Sequence, residues 1–267
     1  MRRVARVAGV RALFALIALL GAAPAAAQPP SGIVRPTTEP PKPTVQLGEQ
    51  LYAGNCATCH GIAGSGITKP RPGAGDLTGL GPPLRGVGAL APDFYLRSGY
   101  MPLGNPHEQP EENRVLLTDK EIRSLVMYVA SLGAGPGIPS PKPSHGDISE
   151  GQELFTSTCA GCHQLEGRGG FVTGARVPPL QNVPARRIAE AVRIGPYLMP
   201  KFSKSQISDS QLNSIIRYVQ STNAPDNRGG WSIGNLGPIP EGLVVWWIAI
   251  PLILFFCLLV ARRRRSQ

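Results

Sequence analysis

The pattern Cys-x-x-Cys-His occurs twice in the chain, at residues 56–60 and 159–163. Two thiols three positions apart, followed directly by an imidazole, suit three kinds of chemistry. They could supply part of a zinc site or form a redox-active disulfide. They could also attach a haem group covalently through two thioethers, with the histidine as an axial iron ligand.

The zinc and disulfide alternatives leave part of the pattern unexplained. A tetrahedral structural zinc site needs four ligands, whereas each motif offers two thiols and one histidine, with no further cysteine nearby. A thioredoxin-type disulfide belongs to a βαβ unit, but this sequence has few strand-like runs, and such a disulfide gives no role to His60 or His163. Covalent haem accounts for all three residue types. We therefore predict thioethers at four positions and a histidine ligand in each motif: Cys56, Cys59 and His60, and Cys159, Cys162 and His163.

Both motifs belong to an internal repeat. Residues 48–61 (GEQLYAGNCATCHG) match residues 151–164 (GQELFTSTCAGCHQ). Three further blocks recur in the same order: Pro-Pro-Leu at 82–84 and 178–180, Met-Pro at 101–102 and 199–200, and the segments 117–132 and 207–222. Four blocks in one order predict two homologous domains.

Met101 and Met199 are the candidates for the second axial ligand of each iron. They occupy matching places, each before a proline, 41 and 36 residues after their histidines. Met127 falls on a closing helix where the repeat has an arginine, which predicts a surface or packing role. His107 and His145 have no counterpart in the other domain and are expected to be exposed loop residues. Two six-coordinate irons would leave no position for a substrate, so this ligation indicates electron transfer.

Each domain is expected to open and close with a helix. Thr118 and Glu121 form a capping-box pattern before the closing helix of the first domain, and Ser208 and Gln211 repeat it in the second. Apolar residues follow at helical spacing in both closing helices: Ile122, Leu125, Val126 and Val129, then Leu212, Ile215, Ile216 and Val219. The loop-rich remainder gives each domain a marginal protein core, which a covalent haem would complete.

The two ends of the chain indicate export and membrane anchoring. Four arginines precede a short apolar run and an Ala-Ala-Ala site at 25–27, which is typical of a signal peptide. Residues 242–261 carry no charge and are long enough to cross a bilayer, and four arginines at 262–265 place the C-terminus in the cytoplasm by the positive-inside rule. Cys257 lies in this span and is given no role.

The formal net charge of +10 reflects these end segments. They hold eight of the 27 Lys and Arg residues, so residues 28–241 carry 19 basic and 17 acidic residues. An almost neutral exported region gives no support to nucleic-acid binding. The predicted organisation is a signal peptide at 1–27, a Pro-rich stalk at 28–43, domain 1 at 44–133, a linker at 134–146, domain 2 at 147–223, a spacer at 224–241, the transmembrane helix at 242–261 and a basic tail at 262–267.

With these blocks in place, each domain resembles class I cytochrome c. The resemblance implies an all-α fold of two tandem cytochrome c-like domains, followed by one C-terminal transmembrane helix. It implies that the carbonyls of Pro82 and Pro178 orient the ligand histidines. It also implies that Leu84 and Leu180 pack on the two covalently bound haem c groups.

The layout of the chain after residue 43 resembles the dihaem cytochrome c subunit of the actinobacterial menaquinol–cytochrome c reductase. That family implies an electron carrier without its own substrate site, anchored in the cell membrane with its haem domains on the outer side. It implies three partners: a cytochrome b subunit, a Rieske iron–sulfur subunit that delivers electrons to domain 1, and an aa3-type oxidase that receives them from domain 2.

Three other functions stay open on the sequence alone. They are a dihaem cytochrome serving another oxidase or a periplasmic dehydrogenase, a dihaem peroxidase, and a structural membrane-anchored module. A peroxidase would need an open or histidine-switchable iron, and the structural module would lack haem.

Overall fold

A computed structural model of the chain describes residues 32–69, 80–101, 103, 108–223 and 238–265. It divides into two compact units, Met1–Val219 and Gln220–Gln267. Predicted domain 1 and residues 147–219 of predicted domain 2 fall in the first unit. The predicted signal peptide, His107 and most of the predicted spacer lie outside the described residues.

The described residues form mainly helices. Domain 1 contains α1 (Val45–Asn55), α2 (Ala57–His60), a 3₁₀ turn (Ile62–Gly64), α3 (Leu90–Arg97) and α4 (Asp119–Ser131). A 3₁₀ turn (Pro143–His145) precedes domain 2, which contains α5 (Ile148–Thr158), α6 (Ala160–His163), strands β1 (Gly170–Val172) and β2 (Ala175–Val177), α7 (Ala185–Ile194) and α8 (Asp209–Asn223). The architecture confirms the predicted mostly helical fold.

The opening and closing helices of each domain cross at a glycine. A Cβ atom added at Gly48 of α1 would lie 2.0 Å from the backbone oxygen of Ser124 in α4, and one added at Gly151 of α5 would lie 2.0 Å from that of Ser214 in α8. The same serines also bond to the residues that cap α1 and α5, because Ser124 Oγ accepts from Thr44 N at 3.2 Å and Ser214 Oγ from Asp147 N at 2.9 Å. Only glycine permits so close a crossing.

Both predicted capping boxes are present. Glu121 N donates to Thr118 Oγ1, and Thr118 N donates to the Glu121 carboxylate. In domain 2, Gln211 N donates to Ser208 Oγ at 3.2 Å and Ser208 N to Gln211 Oε1 at 2.9 Å. The predicted apolar stripes behind these caps are buried in α4 and α8.

Each domain has its own apolar core. In domain 1 the core consists of Leu47, Leu51, Tyr52, Leu125, Tyr128 and Val129. In domain 2 it consists of Phe155, Ile188, Ala189, Val192, Ile207, Leu212, Ile215, Ile216 and Val219. Aromatic rings meet at matching places, with centroids 5.1 Å apart for Tyr52 and Tyr128 and 5.4 Å apart for Phe155 and Tyr218.

Residues 32–43 lie against domain 1, where the sequence composition predicts a stalk. Arg35 Nε lies 2.6 Å from Glu121 Oε1, and its Nη2 donates to the Leu116 carbonyl at 3.0 Å. The Asn55 side chain bonds to both backbone polar groups of Val34 at 2.8 Å. These partners are 21 to 86 positions apart in sequence, and composition alone does not reveal such pairs.

The segment between the domains is hydrogen-bonded on both sides. The Pro136 carbonyl accepts from Ala89 N and Leu90 N of domain 1, at 3.0 and 3.1 Å. Lys142 N donates to Asn213 Oδ1 at 2.7 Å, which joins the other end to domain 2. The predicted linker is thus a fixed spacer in this structure.

A short antiparallel hairpin in domain 2 adds strands to the mainly helical fold. Gly170 pairs with Val177 and Val172 with Ala175. The Gln109 side chain of domain 1 binds the edge of β2, because its Nε2 donates to Arg176 O at 2.6 Å and its Oε1 accepts from Arg176 N at 2.7 Å. The Gln109 amide side chain therefore links the hairpin to domain 1.

The second unit contains the predicted apolar helix. It comprises α9 (Pro238–Val244), a π-helical turn (Val245–Ala249) and α10 (Ile250–Arg265). The 22 residues Gly242–Arg263 are long and apolar enough to cross a membrane and remain exposed along their length. Pro251 lies two residues after the end of the π-helical turn, and a proline cannot donate a hydrogen bond to the preceding turn, which accounts for the irregularity.

The glycine crossing yields a test of the fold. Gly48→Ala in the full-length chain should lower the free energy of unfolding by about 1–3 kcal/mol, the usual cost of overpacking, because the added methyl group meets the Ser124 backbone. Urea unfolding followed by far-UV circular dichroism measures this effect. Gly137→Ala is the control, since a Cβ there meets nothing within 4 Å. Equal midpoints for the two variants would contradict the crossing.

Candidate haem sites

Each Cys-x-x-Cys-His motif forms a single helical turn after the opening helix of its domain. Cys56 ends α1 and caps α2, and His60 N donates to its carbonyl at 2.9 Å. Cys159 occupies the same place between α5 and α6, with His163 N donating at 2.9 Å. The turn brings two thiols and one imidazole together in each domain, as the repeat predicts.

The four motif cysteines are free thiols. Burial, reinforced by the neighbouring cysteine of each motif, raises the pKa of Cys56 and of Cys159 to about 11. A redox-active or metal-binding cysteine functions as a thiolate and has a lowered pKa. The raised pKa of Cys56 and of Cys159 is therefore opposite to the lowered cysteine pKa of a thioredoxin-type site.

The histidine rings are oriented by proline carbonyls. His60 Nδ1 lies 2.9 Å from the Pro82 oxygen, and His163 Nδ1 lies 3.3 Å from the Pro178 oxygen. A carbonyl can only accept, so Nδ1 carries the proton and donates. The lone pair then resides on Nε2, the nitrogen left for iron.

Burial also favours the neutral form of the His163 imidazole in domain 2. The His163 side chain is 9% exposed, whereas His60 is half-buried. Burial lowers the pKa of His163, and its hydrogen bond to Pro178 offsets part of this effect. A neutral imidazole is the form that binds a metal ion.

The loop after each motif is tied to the Pro-Pro-Leu segment. Leu84 N donates to Gly64 O at 2.9 Å, and Leu180 N donates to Gly167 O at 2.7 Å. In domain 1 the approach is closest at Gly81, where an added Cβ would lie 2.6 Å from Cys59 O and 3.1 Å from His60 Nδ1. The loop thus holds the proline carbonyl against the histidine.

Tyrosine hydroxyls hold the same loops, which sequence reasoning did not identify. Tyr52 Oη donates to Gly61 O at 2.8 Å, and Tyr218 Oη donates to Leu165 O at 2.8 Å. The sequence signal for these contacts was the alignment of Tyr52 with Phe155 and of Tyr128 with Tyr218 in the repeat. The repeat alone does not show that the hydroxyl comes from the opening helix in domain 1 and from the closing helix in domain 2.

The predicted methionine ligands are half-buried. Met199 packs against the domain 2 core together with Cys159 and Leu180. In domain 1, Cys56 and Leu84 pack against the core. Met101 is half-buried as well, and residues 102 and 104–107 beside it lie outside the described residues.

Two of the remaining candidates, Met127 and His145, lie at the surface. Met127 is 43% exposed on α4, and His145 is exposed in the 3₁₀ turn before domain 2. Within the described part of the chain, no three His, Cys, Asp or Glu side chains converge on a point that could hold a metal ion. This arrangement does not suit a tetrahedral zinc site.

The donor set fits a c-type haem. In each domain two cysteine thiols lie within one helical turn of a histidine whose Nε2 is available. Thiols of this kind can form thioethers, and the oriented imidazole can serve as an axial ligand.

Family models match both domains. The model described as "Cytochrome c" matches residues 45–133. The model described as "Cytochrome C oxidase, cbb3-type, subunit III" matches residues 146–219. Together they support a haem c-binding protein.

Known relatives share most of the chain. The cytochrome bc1 complex cytochrome c subunit of Corynebacterium diphtheriae is 33% identical over 224 residues, which cover 77% of this chain and 76% of the relative. The subunit of the same name from Mycobacterium tuberculosis (strain ATCC 25618 / H37Rv) is 31% identical, with 77% and 73% coverage. The cbb3-type cytochrome c oxidase subunit FixP of Bradyrhizobium diazoefficiens is 30% identical over 48% of this chain and 42% of its own length. The duplicated haem motif, the membrane helix and these relatives agree, and the chain belongs to the family of the cytochrome c subunits of the cytochrome bc1 complex.

Proposed function

We propose that this chain relays electrons through two covalently bound haem c groups, one in each domain, within a respiratory quinol–cytochrome c reductase. The observation that carries the proposal is the duplicated arrangement of free thiols and a histidine oriented by a proline carbonyl. Haem bound in this way supplies a one-electron redox centre whose potential depends on its axial ligands. The side chains and loops of the two sites would attach the haem and orient its ligands.

In domain 1, Cys56 and Cys59 would attach the haem, and His60 and Met101 would bind its iron. Each thiol would supply the sulfur of one thioether by addition of its S–H to a vinyl group, which would consume no external oxidant or reductant. The Pro82 carbonyl, 2.9 Å from Nδ1, holds the His60 ring in position.

In domain 2, the corresponding residues are Cys159 and Cys162 for attachment and His163 and Met199 for the iron. Leu180 and Met199 pack against the same apolar core, which supports a place for both side chains beside one haem. Burial of His163 would limit the access of water to its side of the site.

A methionine ligand at both sites would make the subunit a carrier without its own substrate. Histidine–methionine ligation raises the reduction potential of a haem and fills the sixth position on iron. A peroxidase needs that position open. The reductase activity would then belong to the complex, and this chain would accept and pass on electrons.

We propose a cytochrome b subunit and a Rieske iron–sulfur subunit as partners on the donor side, and an aa3-type oxidase on the acceptor side. The C-terminal helix anchors the chain in the cell membrane. The four arginines at 262–265 favour a cytoplasmic C-terminus, so the haem domains would face outward. The hydrogen-bonded linker keeps the two domains together, which makes the transfer between them intramolecular.

Electron transfer to a cbb3-type oxidase is a second candidate function. It is favoured by the match of residues 146–219 to the cbb3-type subunit III model. That candidate keeps the same haem sites and membrane anchor, but it changes the partner proteins.

Haem content tests the attachment sites. The double variant Cys56→Ala/Cys59→Ala should retain one of two covalent haems, measured as pyridine haemochrome per chain after export and purification. Cys257→Ala, which lies in the apolar helix, should retain both. A full-length chain that carries a single haem would refute the two-site proposal.

Carbon monoxide binding tests the methionine ligands. Met101→Leu and Met199→Leu should each open one iron, so that about half of the haem in each variant binds carbon monoxide, and each should lower the potential of that haem. Reduced-minus-carbon-monoxide spectra and redox titration measure these effects. Met127→Leu is the matched control on the exposed face of α4, and carbon monoxide binding equal to that of this control would rule out the altered methionine as a ligand.

Affinity purification tests the partners. A tagged full-length chain, extracted from membranes in mild detergent, should retain a b-type cytochrome, a Rieske protein and a-type haem absorbance. Mass spectrometry identifies the partners. A cbb3-type oxidase or a dehydrogenase in place of the b-type cytochrome would overturn this assignment and leave the haem sites unaffected.

A further inference from the structure

A buried charged cluster joins the two domains where α3 meets α7. Asp93 of α3 is 2% exposed, and Glu190 of α7 is 0% exposed. Arg187 of α7 contacts both carboxyl groups. Charged side chains this deeply buried are rare unless they are paired.

Arg187 crosses from domain 2 into domain 1. Its Nη1 donates to the backbone oxygen of Asp93 at 3.1 Å and to the Glu190 carboxylate, and its Nη2 lies 3.7 Å from Asp93 Oδ2. Its guanidinium lies 5.8 Å from the centre of the Phe94 ring. One side chain thus makes polar and cation–π contacts to the opposite domain.

The helices α3 and α7 are equivalent elements of the repeat. Both follow the Pro-Pro-Leu block, and both end before a glycine with positive φ, Gly99 or Gly195. The arginine two positions before each glycine forms the same ion pair with the start of the closing helix. The Arg97–Asp119 distance is 2.7 Å, and the Arg193–Asp209 distance is 2.9 Å. This alignment places each residue of one helix opposite its counterpart in the other.

The cluster residues are not repeated. Aligned on those glycines, Asp93 corresponds to Ala189, Arg187 to Ala91 and Glu190 to Phe94. Each domain therefore forms its version of this helix without the charges that its counterpart carries. The cluster belongs to the junction, whereas the repeated ion pairs belong to the individual domains.

The cluster lacks one hydrogen-bond donor. Asp93 Oδ2 and Glu190 Oε1 are buried and accept no hydrogen bond from any described residue. Arg97 Nε binds the other Asp93 oxygen at 2.8 Å, and Arg187 binds the other Glu190 oxygen. An ionised carboxylate can only accept, so a proton on one of the two carboxyl groups is the donor that would satisfy both oxygens.

We propose that Asp93 and Glu190 share one proton and, with Arg187, form a pH-sensitive lock that positions the two domains for electron transfer between them. Glu190 carries the proton and donates it in a hydrogen bond to Asp93. Loss of the proton to water leaves two buried carboxylates in contact, and their repulsion opens the α3–α7 junction.

The electrostatic surroundings support this assignment. Burial raises the pKa of Glu190 to about 8, and its hydrogen bond with Asp93 adds to the rise, while the positive charges of Arg187 and Arg186 oppose it. Burial likewise lowers the pKa of Arg187. Arg97 reaches the cluster from α3 and is shared with Asp119 of α4.

The sign of the pH dependence follows from the raised pKa. Relative to the unfolded chain, in which Glu has a pKa of about 4.3, the protonated pair stabilises the folded chain fully at low pH. This stabilisation is lost as the pH rises through about 8, the pKa of Glu190. The lock should be closed at neutral pH and open in alkaline solution.

Two other described contacts across the junction involve no titratable group. Gln109 binds the backbone of Arg176, and the Pro136 carbonyl holds the linker to domain 1. Opening should therefore loosen α3 and α7 locally without separating the domains. The effect on electron transfer rests on the proposed function, because it requires a haem in each domain.

Hydrogen exchange of the full-length, haem-loaded chain in detergent tests the lock. The ratio of ionised to protonated Glu190 changes tenfold per pH unit, which is about 300-fold between about pH 7 and about pH 9.5. After correction for intrinsic exchange, the amides of α3 and α7 should exchange several-fold faster at the higher pH. Glu190→Gln and Asp93→Asn each keep a hydrogen-bond donor at all pH values and should abolish this rise in exchange. The exposed control Glu153→Gln should behave like the wild type.

A wild type without the rise, or a Glu190→Gln variant with the same rise, would overturn the lock. This readout needs no electron transfer, so it is independent of the proposed function, which the haem count tests separately. In a chain with two haems, flash-induced electron redistribution between them should slow above about pH 8 in the wild type. It should remain constant with pH in Glu190→Gln, a result that a merely structural role for Glu190 would not produce.

Discussion

The close crossing of the opening and closing helices is the constraint on which each haem domain depends. At Gly48 and Gly151 the backbone of one helix lies against the backbone of the other, and no larger residue fits. Because the opening helix ends at the first motif cysteine, this crossing fixes where the thiols and the histidine begin. The capping serine contacts and the paired aromatic rings act on the same crossing.

In each domain the Pro-Pro-Leu segment then fixes the orientation of the histidine ring. A loop tied back to the Pro-Pro-Leu segment brings a carbonyl to Nδ1, and a tyrosine hydroxyl holds that loop in each domain. The ring is therefore oriented by hydrogen bonds within the protein. These contacts leave Nε2 as the nitrogen that would bind the iron of the proposed haem.

Most of this site could be predicted because its determinants are local or duplicated. The capping boxes, the apolar stripes and the Cys-x-x-Cys-His turn depend on residues a few positions apart. The repeat showed that the Pro-Pro-Leu block recurs, and the resemblance to class I cytochrome c implied that its proline carbonyls orient the histidines. The packing of residues 32–43 could not be predicted, because it depends on the Arg35–Glu121 pair, 86 positions apart. The contact between Gln109 and the hairpin could not be predicted for the same reason, because it joins residues 67 positions apart in different domains.

Duplication separates two kinds of residue in this chain. Residues present in both copies, such as the crossing glycines and the Arg97–Asp119 and Arg193–Asp209 pairs, maintain a single domain. Residues present in one copy only, such as Asp93, Arg187 and Glu190, meet across the junction. A carrier made of two linked domains needs both kinds, because a haem site can be perfect in each half while transfer between the halves depends on their separation. The unrepeated charges therefore join the two domains, and the proposed relay between two haems would depend on contacts of this kind.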